Sequence, residues 1–540
     1  EISECLVGSE MCIRDRPIAD LLDCIDSSER THELFARLIK NNTEQRGILY
    51  TSKADIVGFK NPEELAEKYN NVLYHRHQYA RIEIFKNHFY IKEYDENVYE
   101  IIYKLKKYAE SGIKNYTHSV DLWMKNSGLI IDCDEKKNAL RNLFKNSKVA
   151  FIYGAAGTGK STMINYISSL FKDKQKIFLA NTNPAVENLR RKVTAEHAEF
   201  VTITKFLSKD VSNDCDILCL DECSTISNRD MVRVLQRAQC KLLVLVGDIY
   251  QIESILFGNW FNIAYKVMPK DSVAELTRPH RTTVQGLIEV WNKVREITED
   301  RLEFITRNGL SSTLDESIFS RTEEDEIVLC LNYDGIYGIN NINKFLQSNN
   351  VNPSINWGVL SYKVGDPVLF NESNRFAPLV YNNLKGKILQ IEEEEDCIYF
   401  TIEVYTVLNE LDVIGFDLEL KESVTDETSV IRFKVGRGGD GNDDNDNVEN
   451  VVPFQVAYAI SIHKAQGLEY ESVKVVITSE IEEMVSHNIF YIAITRAKSK
   501  LKIYWSPETE KRILENMKVQ FNDKDYQLFK AKYKEALLKS

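Results

Sequence analysis

The chain carries ten cysteines, yet no two are spaced as CxxC, the pattern that would suggest a zinc ribbon or a dithiol redox centre. No stretch holds the roughly 20 uninterrupted apolar residues that a membrane-spanning helix needs, so no membrane partner is expected. The net charge of −13 excludes a surface that is basic throughout. Any contact with a polyanion would depend on a local groove of Lys and Arg. Cys215, Cys219 and Cys223 are evenly spaced, but they flank or lie in the apolar run Ile217–Leu220. They read as buried free thiols rather than metal ligands, and reduced thiols fit a cytoplasmic protein. Residues 1–16 lack the basic start and apolar core of a signal peptide. They read as a translated adapter sequence in front of a missing native start.

What is present is an ordinary globular composition, 43% hydrophobic and 28% charged over 540 residues, enough for three to four domains. Short, near-continuous apolar runs occur at Val149–Tyr153, Ile177–Ala180, Ile217–Leu220, Leu242–Val246, Ile327–Leu331, Val473–Ile477 and Leu501–Trp505. Such runs suit parallel strands covered on both faces. Amphipathic helices are predicted between the first four, at Ser161–Phe171, Ala185–Val193 and Arg229–Ala238. Alternating strands and helices indicate βαβ units in a doubly wound α/β fold, with ligands outside the carboxyl ends of the strands. Pro367–Phe370, Lys387–Ile391, Ile398–Val404 and Val430–Lys434 have no helices between them and predict a small all-β insert. Its Gly- and Asp-rich tail, Gly436 to Asn447, reads as a solvated linker, because its spacing matches no calcium loop. Residues 17–125 mix helical Tyr99–Ser111 with strand-like Ala80–Tyr94. His75 and His77 in this region read as surface or packing residues.

Gly154-Ala-Ala-Gly157-Thr158-Gly159-Lys160-Ser161 matches GxxxxGK[ST] between a predicted strand and a predicted helix. Its glycines let backbone N–H groups wrap phosphates, helped by the helix N-terminus. Lys160 is expected to reach the β- and γ-phosphates, and Ser161 to hold Mg²⁺, with Thr162 next in the loop. Asp221 and Glu222 end the third strand. Asp221 is expected to orient Mg²⁺, and Glu222 to polarise the attacking water as general base. Gln251 follows the next strand, where its amide can sense the γ-phosphate.

In this order the three motifs resemble the first RecA-like domain of superfamily 1 helicases. Further segments extend the resemblance over residues from about 130 to 506. Glu275-Leu-Thr-Arg-Pro-His-Arg281 is similar to the segment whose final Arg contacts the γ-phosphate. Ser461-Ile-His-Lys-Ala-Gln-Gly-Leu-Glu469 resembles the fifth motif, in which Gly467 and Glu469 are assigned to the nucleotide. Tyr491-Ile-Ala-Ile-Thr-Arg-Ala-Lys498 resembles the sixth, which makes Arg496 an arginine finger from a second RecA-like domain. The resemblance implies contacts to nucleic acid from Thr182 and Asn183, from Thr202 and Phe206, and from Ser461, His463 and Lys464. Phe206 either stacks on a base or packs in the core. Two departures stand out. Lys136 occupies the place of a Gln that reads adenine, and Thr204 replaces a His.

The His-Lys-Ala-Gln-Gly form of motif five resembles the RecD-like (superfamily 1B) branch. So does the insert, where Gly365-Asp-Pro-Val-Leu-Phe370 and Asn383-Leu-Lys-Gly386 resemble an SH3-like accessory domain. The resemblance implies an ATP- and Mg²⁺-dependent helicase moving 5′→3′ on single-stranded or tailed duplex DNA. The expected layout is an α+β N-terminal accessory domain (17–125), a first RecA-like domain (126–290), a second (291–362 and 451–510), the insert (363–450) and a C-terminal helix or tail (511–540). RNA as track, a translocase that does not unwind, and a scaffold with a dead ATPase are the alternatives. A partner protein bound through the N-terminal domain is a further expectation.

Overall fold

Alternate residues of the strand Val149–Gly154 feed two different cores. Phe151 and Tyr153 pack on one face of their sheet, and Ala150 and Ile152 on the other. Leu218 and Leu220 divide from Ile217 and Cys219 in the same way, as do Leu243 and Leu245 from Val244 and Val246. This is why the runs read as continuously apolar: successive side chains point to opposite faces, and both faces are covered. In this computed structural model the described residues are 30–44, 46–155, 157–208, 213–248, 258–278, 282–371, 375–377, 379–423, 425–437, 450–517 and 523–538.

The first sheet is wholly parallel, in the order Ala198–Thr202, Lys176–Ala180, Asp214–Leu220, Gln239–Gly247, Val149–Gly154, Val273–Leu276. A second parallel sheet has the order Ser311–Ser312, Ala497–Tyr504, Tyr470–Val476, Glu326–Cys330, Ala459–Ser461. These are the two RecA-like domains. All seven predicted runs are strands, and all three predicted helices form, at Lys160–Leu170, Asn183–Lys192 and Asn228–Arg237. Cys215, Cys219 and Cys223 are buried free thiols. Burial pushes the Cys215 thiol up to about 12 and raises the other two as well.

Inserted in the second sheet's sequence, between Glu326–Cys330 and Ala459–Ser461, is an antiparallel sheet in the order Glu419–Lys421, Ser429–Gly436, Cys397–Val404, Lys385–Glu393, Pro367–Phe370, Phe454–Val456. Its core is rich in aromatic rings, with Tyr362, Phe370, Phe400, Phe433 and Phe454 in contact.

The cores redraw the expected boundaries. The helix Gln285–Glu296 buries Leu287, Val290, Trp291 and Val294 in the second core. Trp291 Nε1 also donates to Ile494 O at 3.0 Å, so the first domain ends before Gln285 and not at residue 290. The hairpin of Ser354–Trp357 and Leu360–Lys363 places Trp357 and Tyr362 in the insert core, and Phe454–Val456 closes the insert sheet. The insert therefore runs past both 363 and 450. Ala80–Tyr94 is not one extended run. It is a hairpin of Ile82–Phe85 and His88–Ile91 that turns at Lys86 and Asn87, both with left-handed φ (47° and 60°). A helix follows from Lys92 to Ala109. Val98, Ile101 and Leu105 of that helix join the first RecA-like core, while Phe35, Ile39, Phe59, Ile82 and Phe89 form a core of their own. The C-terminal stretch forms two helices with different allegiances. Pro507–Asn516 packs on the second core through Ile513 and Leu514, whereas Phe529 of Asp523–Leu538 packs into the first.

Candidate nucleotide site and nucleic-acid groove

The strand Val149–Gly154 runs into the phosphate-type loop, and the helix Lys160–Leu170 starts directly after it. Gly157 and Gly159 take φ of 79° and 84°, a region open to glycine without strain. A Cβ on Gly154 would collide with Thr158 Oγ1. Thr158 is buried and its hydroxyl donates to Ala155 O at 2.9 Å, so this side chain shapes the loop from behind. Lys160 Nζ arches over the loop and donates to Gly154 O (2.8 Å) and Ala155 O (3.0 Å).

In front of the loop lies a cavity of about 290 Å³. The first domain lines it with Gly157, Gly159, Lys160, Ser161 and Thr162, and with Asp221 and Glu222 from the end of the third strand. The second domain supplies Gln466, Gly467, Glu469 and Arg496. The cavity thus assembles residues from both sheets. Arg496 is 3% exposed. Its Nε donates to Ile492 O (3.0 Å) and its Nη1 to Leu468 O (3.2 Å), which fixes the guanidinium at the end of the helix His487–Ile494.

Glu222 has φ 52° and ψ 42°, a left-handed conformation that costs a non-glycine residue on the order of 1–2 kcal/mol. Burial and the neighbouring Asp221 push its carboxyl up to about 7, against the opposing pull of Arg496 and Lys160. Burial also raises Asp221, while the Glu222 N–H donated to it at 2.9 Å works the other way. A carboxyl poised near neutrality beside a strictly cationic group is the electrostatic arrangement that general-base chemistry needs. The donor set fits a magnesium nucleotide: the Ser161 hydroxyl and Asp221 carboxylate are hard oxygen ligands, with cationic Lys160 and Arg496 nearby. No group of three or more His, Cys, Asp or Glu suited to a metal occurs among the described residues. Gln251 and Arg281 lie outside the described residues.

A second cavity, of about 320 Å³, opens beside the first. Thr182 and His463, two of the residues assigned to nucleic acid, line it. The others stand elsewhere. Asn183 is exposed at the start of the helix that Thr182 caps. Thr202 accepts from Lys205 N (3.2 Å) and caps the helix Ile203–Leu207. Ser461 is 6% exposed and accepts from Lys464 N at 3.2 Å, while Lys464 Nζ donates to Gln455 Oε1 at 2.8 Å. Phe206 is 0% exposed within the first core, so its ring packs and cannot meet a base. This corrects its assignment as a nucleic-acid contact.

Several residues at these cavities were not singled out from the sequence. Asn188 and Lys192 line the nucleotide cavity from one face of the helix Asn183–Lys192. Their four-residue spacing was the available signal. Gln466 sits inside a motif already quoted. Tyr381 and Tyr405 of the insert line the second cavity, and no local pattern marks them. Lys136 is 1% exposed, is paired with Asp132, and would be struck by a Cβ on Gly159. It lies behind the loop and is absent from the lining of the nucleotide cavity.

Comparison with known proteins accords with this geometry. The AAA domain family matches residues 133–315, and the UvrD-like helicase C-terminal domain family matches residues 456–504. The uncharacterized protein MJ1519 of Methanocaldococcus jannaschii is 24% identical over 68% of this chain, which spans 37% of that protein's length. The RecBCD enzyme subunit RecD of Buchnera aphidicola is 22% identical over 72% of this chain and 78% of its own. The ATP-dependent DNA helicase Pif1 of Campylobacter jejuni is 23% identical over 66% and 88%. By these matches the chain is similar to P-loop helicases of the RecD-like branch of superfamily 1. Its two cavities are not independent. Asn188, Glu222, Gln466 and Gly467 line both.

Proposed function

We propose that the chain is an ATP-driven motor that moves 5′→3′ on single-stranded DNA and separates duplex DNA ahead of it. One observation carries this reading. The cavity that fits a nucleoside triphosphate and the groove beside it share a wall, and that wall includes Glu222 from the first domain and Gln466 from the second. A strand seated in the groove would press on the residues that contact nucleotide, so occupancy of one cavity would alter the other.

Within this scheme Lys160 and Arg496 balance charge on the phosphates from opposite sides. Glu222 accepts a proton from the attacking water. Mg²⁺, held by Ser161 and Asp221, would supply the remaining neutralising charge. Gln251 and Arg281 serve as further γ-phosphate contacts. Because Arg496 arrives from the second domain, hydrolysis competence depends on how the two sheets meet, which ties each turnover to a change in grip on the strand. Thr182 and His463 contact the strand on the two sides of the groove, through phosphate and sugar rather than base edges.

Strand displacement on duplexes with a 5′ or a 3′ single-stranded tail tests the reading. Unwinding is expected from the 5′ tail with ATP and Mg²⁺. Unwinding from the 3′ tail alone would overturn the polarity. Stimulation of hydrolysis by single-stranded RNA but not DNA would overturn the track.

A further inference from the structure

The helix Pro62–Val72 is followed by a stretch that the fold holds in place without burying. Asn70 pins its two ends together: its Nδ2 donates to Ile82 O (2.8 Å) and its Oδ1 accepts from Ile82 N (2.9 Å). Arg81 Nη1 donates to Gln78 Oε1 at 3.0 Å, which braces the turn from within. Between these anchors the 3₁₀ turn His75–Ala80 and Tyr74, the residue before it, display four rings. Tyr74 and His75 have centroids 4.1 Å apart, Tyr74 and His77 5.8 Å, and His77 and Tyr79 5.9 Å. Tyr74 is 54% and Tyr79 50% exposed, and His75, Arg76 and His77 are exposed as well. None of the four rings belongs to the neighbouring core of Phe35, Ile39, Phe59, Ile82 and Phe89. Packing therefore does not account for them, and a contiguous ladder of rings in water marks a binding surface.

Charge selects the ligand. In a chain of net charge −13, no carboxylate lies between Glu67 and Glu83, while Lys68, Arg76 and Arg81 do. Exposed rings interleaved with cations suit a polyanion whose bases offer flat faces. We infer that the Tyr74–Arg81 turn is a second binding surface for single-stranded nucleic acid, apart from the motor groove, on which the four rings stack with bases while Arg76 and Arg81 meet phosphates. The inference shares with the proposed function only the identity of the ligand.

The test uses the full chain carrying Lys160→Ala, so that binding is read without hydrolysis, and oligo-dT containing bromodeoxyuridine. Photocrosslinks are expected within residues 74–81, in addition to any in the motor groove. Replacing Tyr74, His75, His77 and Tyr79 together by Ala should remove those crosslinks and weaken binding of a long oligonucleotide about 10-fold or more, given the usual contribution of base stacking. Tyr74→Phe with Tyr79→Phe should retain affinity, which separates ring stacking from a general effect on the fold. Arg76→Ala should reduce the salt dependence of binding by about one phosphate, a slope change near 0.7. Crosslinks confined to the motor groove, or full affinity in the four-residue variant, would overturn the inference and leave the surface to a protein partner. Crosslinking at 74–81, together with failure of the wild-type chain to hydrolyse ATP or unwind DNA, would sustain it while the motor reading falls.

Discussion

Glu222 and Arg496 come from different sheets and face one cavity, and the charge state of the first depends on the position of the second. Burial and Asp221 lift the Glu222 carboxyl to about 7, and the Arg496 guanidinium opposes that rise. A change in the distance between the two domains therefore changes how readily Glu222 can take a proton.

A base must be ionised to act, so kcat/KM for ATP is expected to rise with pH along a limb centred near 7 and then level off. The same residue has a signature in stability. The unfolded chain ionises this carboxyl near its ordinary 4.5, before the folded protein does near 7, so the folded state loses stability as pH climbs between those values. Glu222→Gln should abolish turnover. It should also stabilise the fold above pH 7, by on the order of 3 kcal/mol, and have little effect below pH 4.5. Thermal melts of wild type and variant at the two extremes check this. A variant no more stable than wild type at high pH would show that the carboxyl is not held protonated.

Arg496→Ala is expected to lower kcat by about 10³-fold or more, in line with other arginines that stabilise phosphoryl transfer. Arg496→Lys should not restore it, because an ammonium cannot reproduce the planar guanidinium fork. Nucleotide affinity should survive in both, since Lys160 and the loop remain. Fluorescent-nucleotide titration alongside steady-state kinetics separates the two effects.

Phe206→Ala should cost about 3–5 kcal/mol of stability through the cavity it leaves in the first core. Affinity for single-stranded DNA per folded molecule should stay unchanged. Urea denaturation followed by binding at low denaturant distinguishes this from loss of a stacking contact.

Lys136 is committed to Asp132 behind Gly159 and does not line the nucleotide cavity. With the residue aligned to the adenine-reading Gln outside the cavity, GTP and CTP should be hydrolysed within about 10-fold of ATP, since strong discrimination needs buried groups that a wrong base leaves unpaired. A panel of nucleoside triphosphates under saturating DNA measures it. A preference for ATP above about 10³-fold would mean that another group reads adenine.

The strands and helices of both RecA-like domains were legible because each is a local pattern: a run such as Leu242–Val246 is apolar at every position, and Gly154–Ser161 carries its own turn chemistry. The domain boundaries were not, because they depend on which core a helix joins. Nothing local in Gln285–Glu296 says that Trp291 reaches Ile494 O, or that Phe529 returns to the first domain. The site divided in the same way. Lys160, Asp221, Glu222 and Arg496 could be picked out from motifs. Phe206 could not be resolved, since stacking and core packing ask for the same ring. Tyr381 and Tyr405 were missed because the groove they line exists only once three units of the chain meet.

The most direct measurement is the hydrolysis rate of the full chain, wild type and Lys160→Ala, with and without single-stranded DNA. A motor whose nucleotide cavity shares Glu222 and Gln466 with the DNA groove should be strongly stimulated by DNA in the wild type and show no stimulated rate in the variant. Equal DNA-stimulated hydrolysis by the two proteins would contradict it.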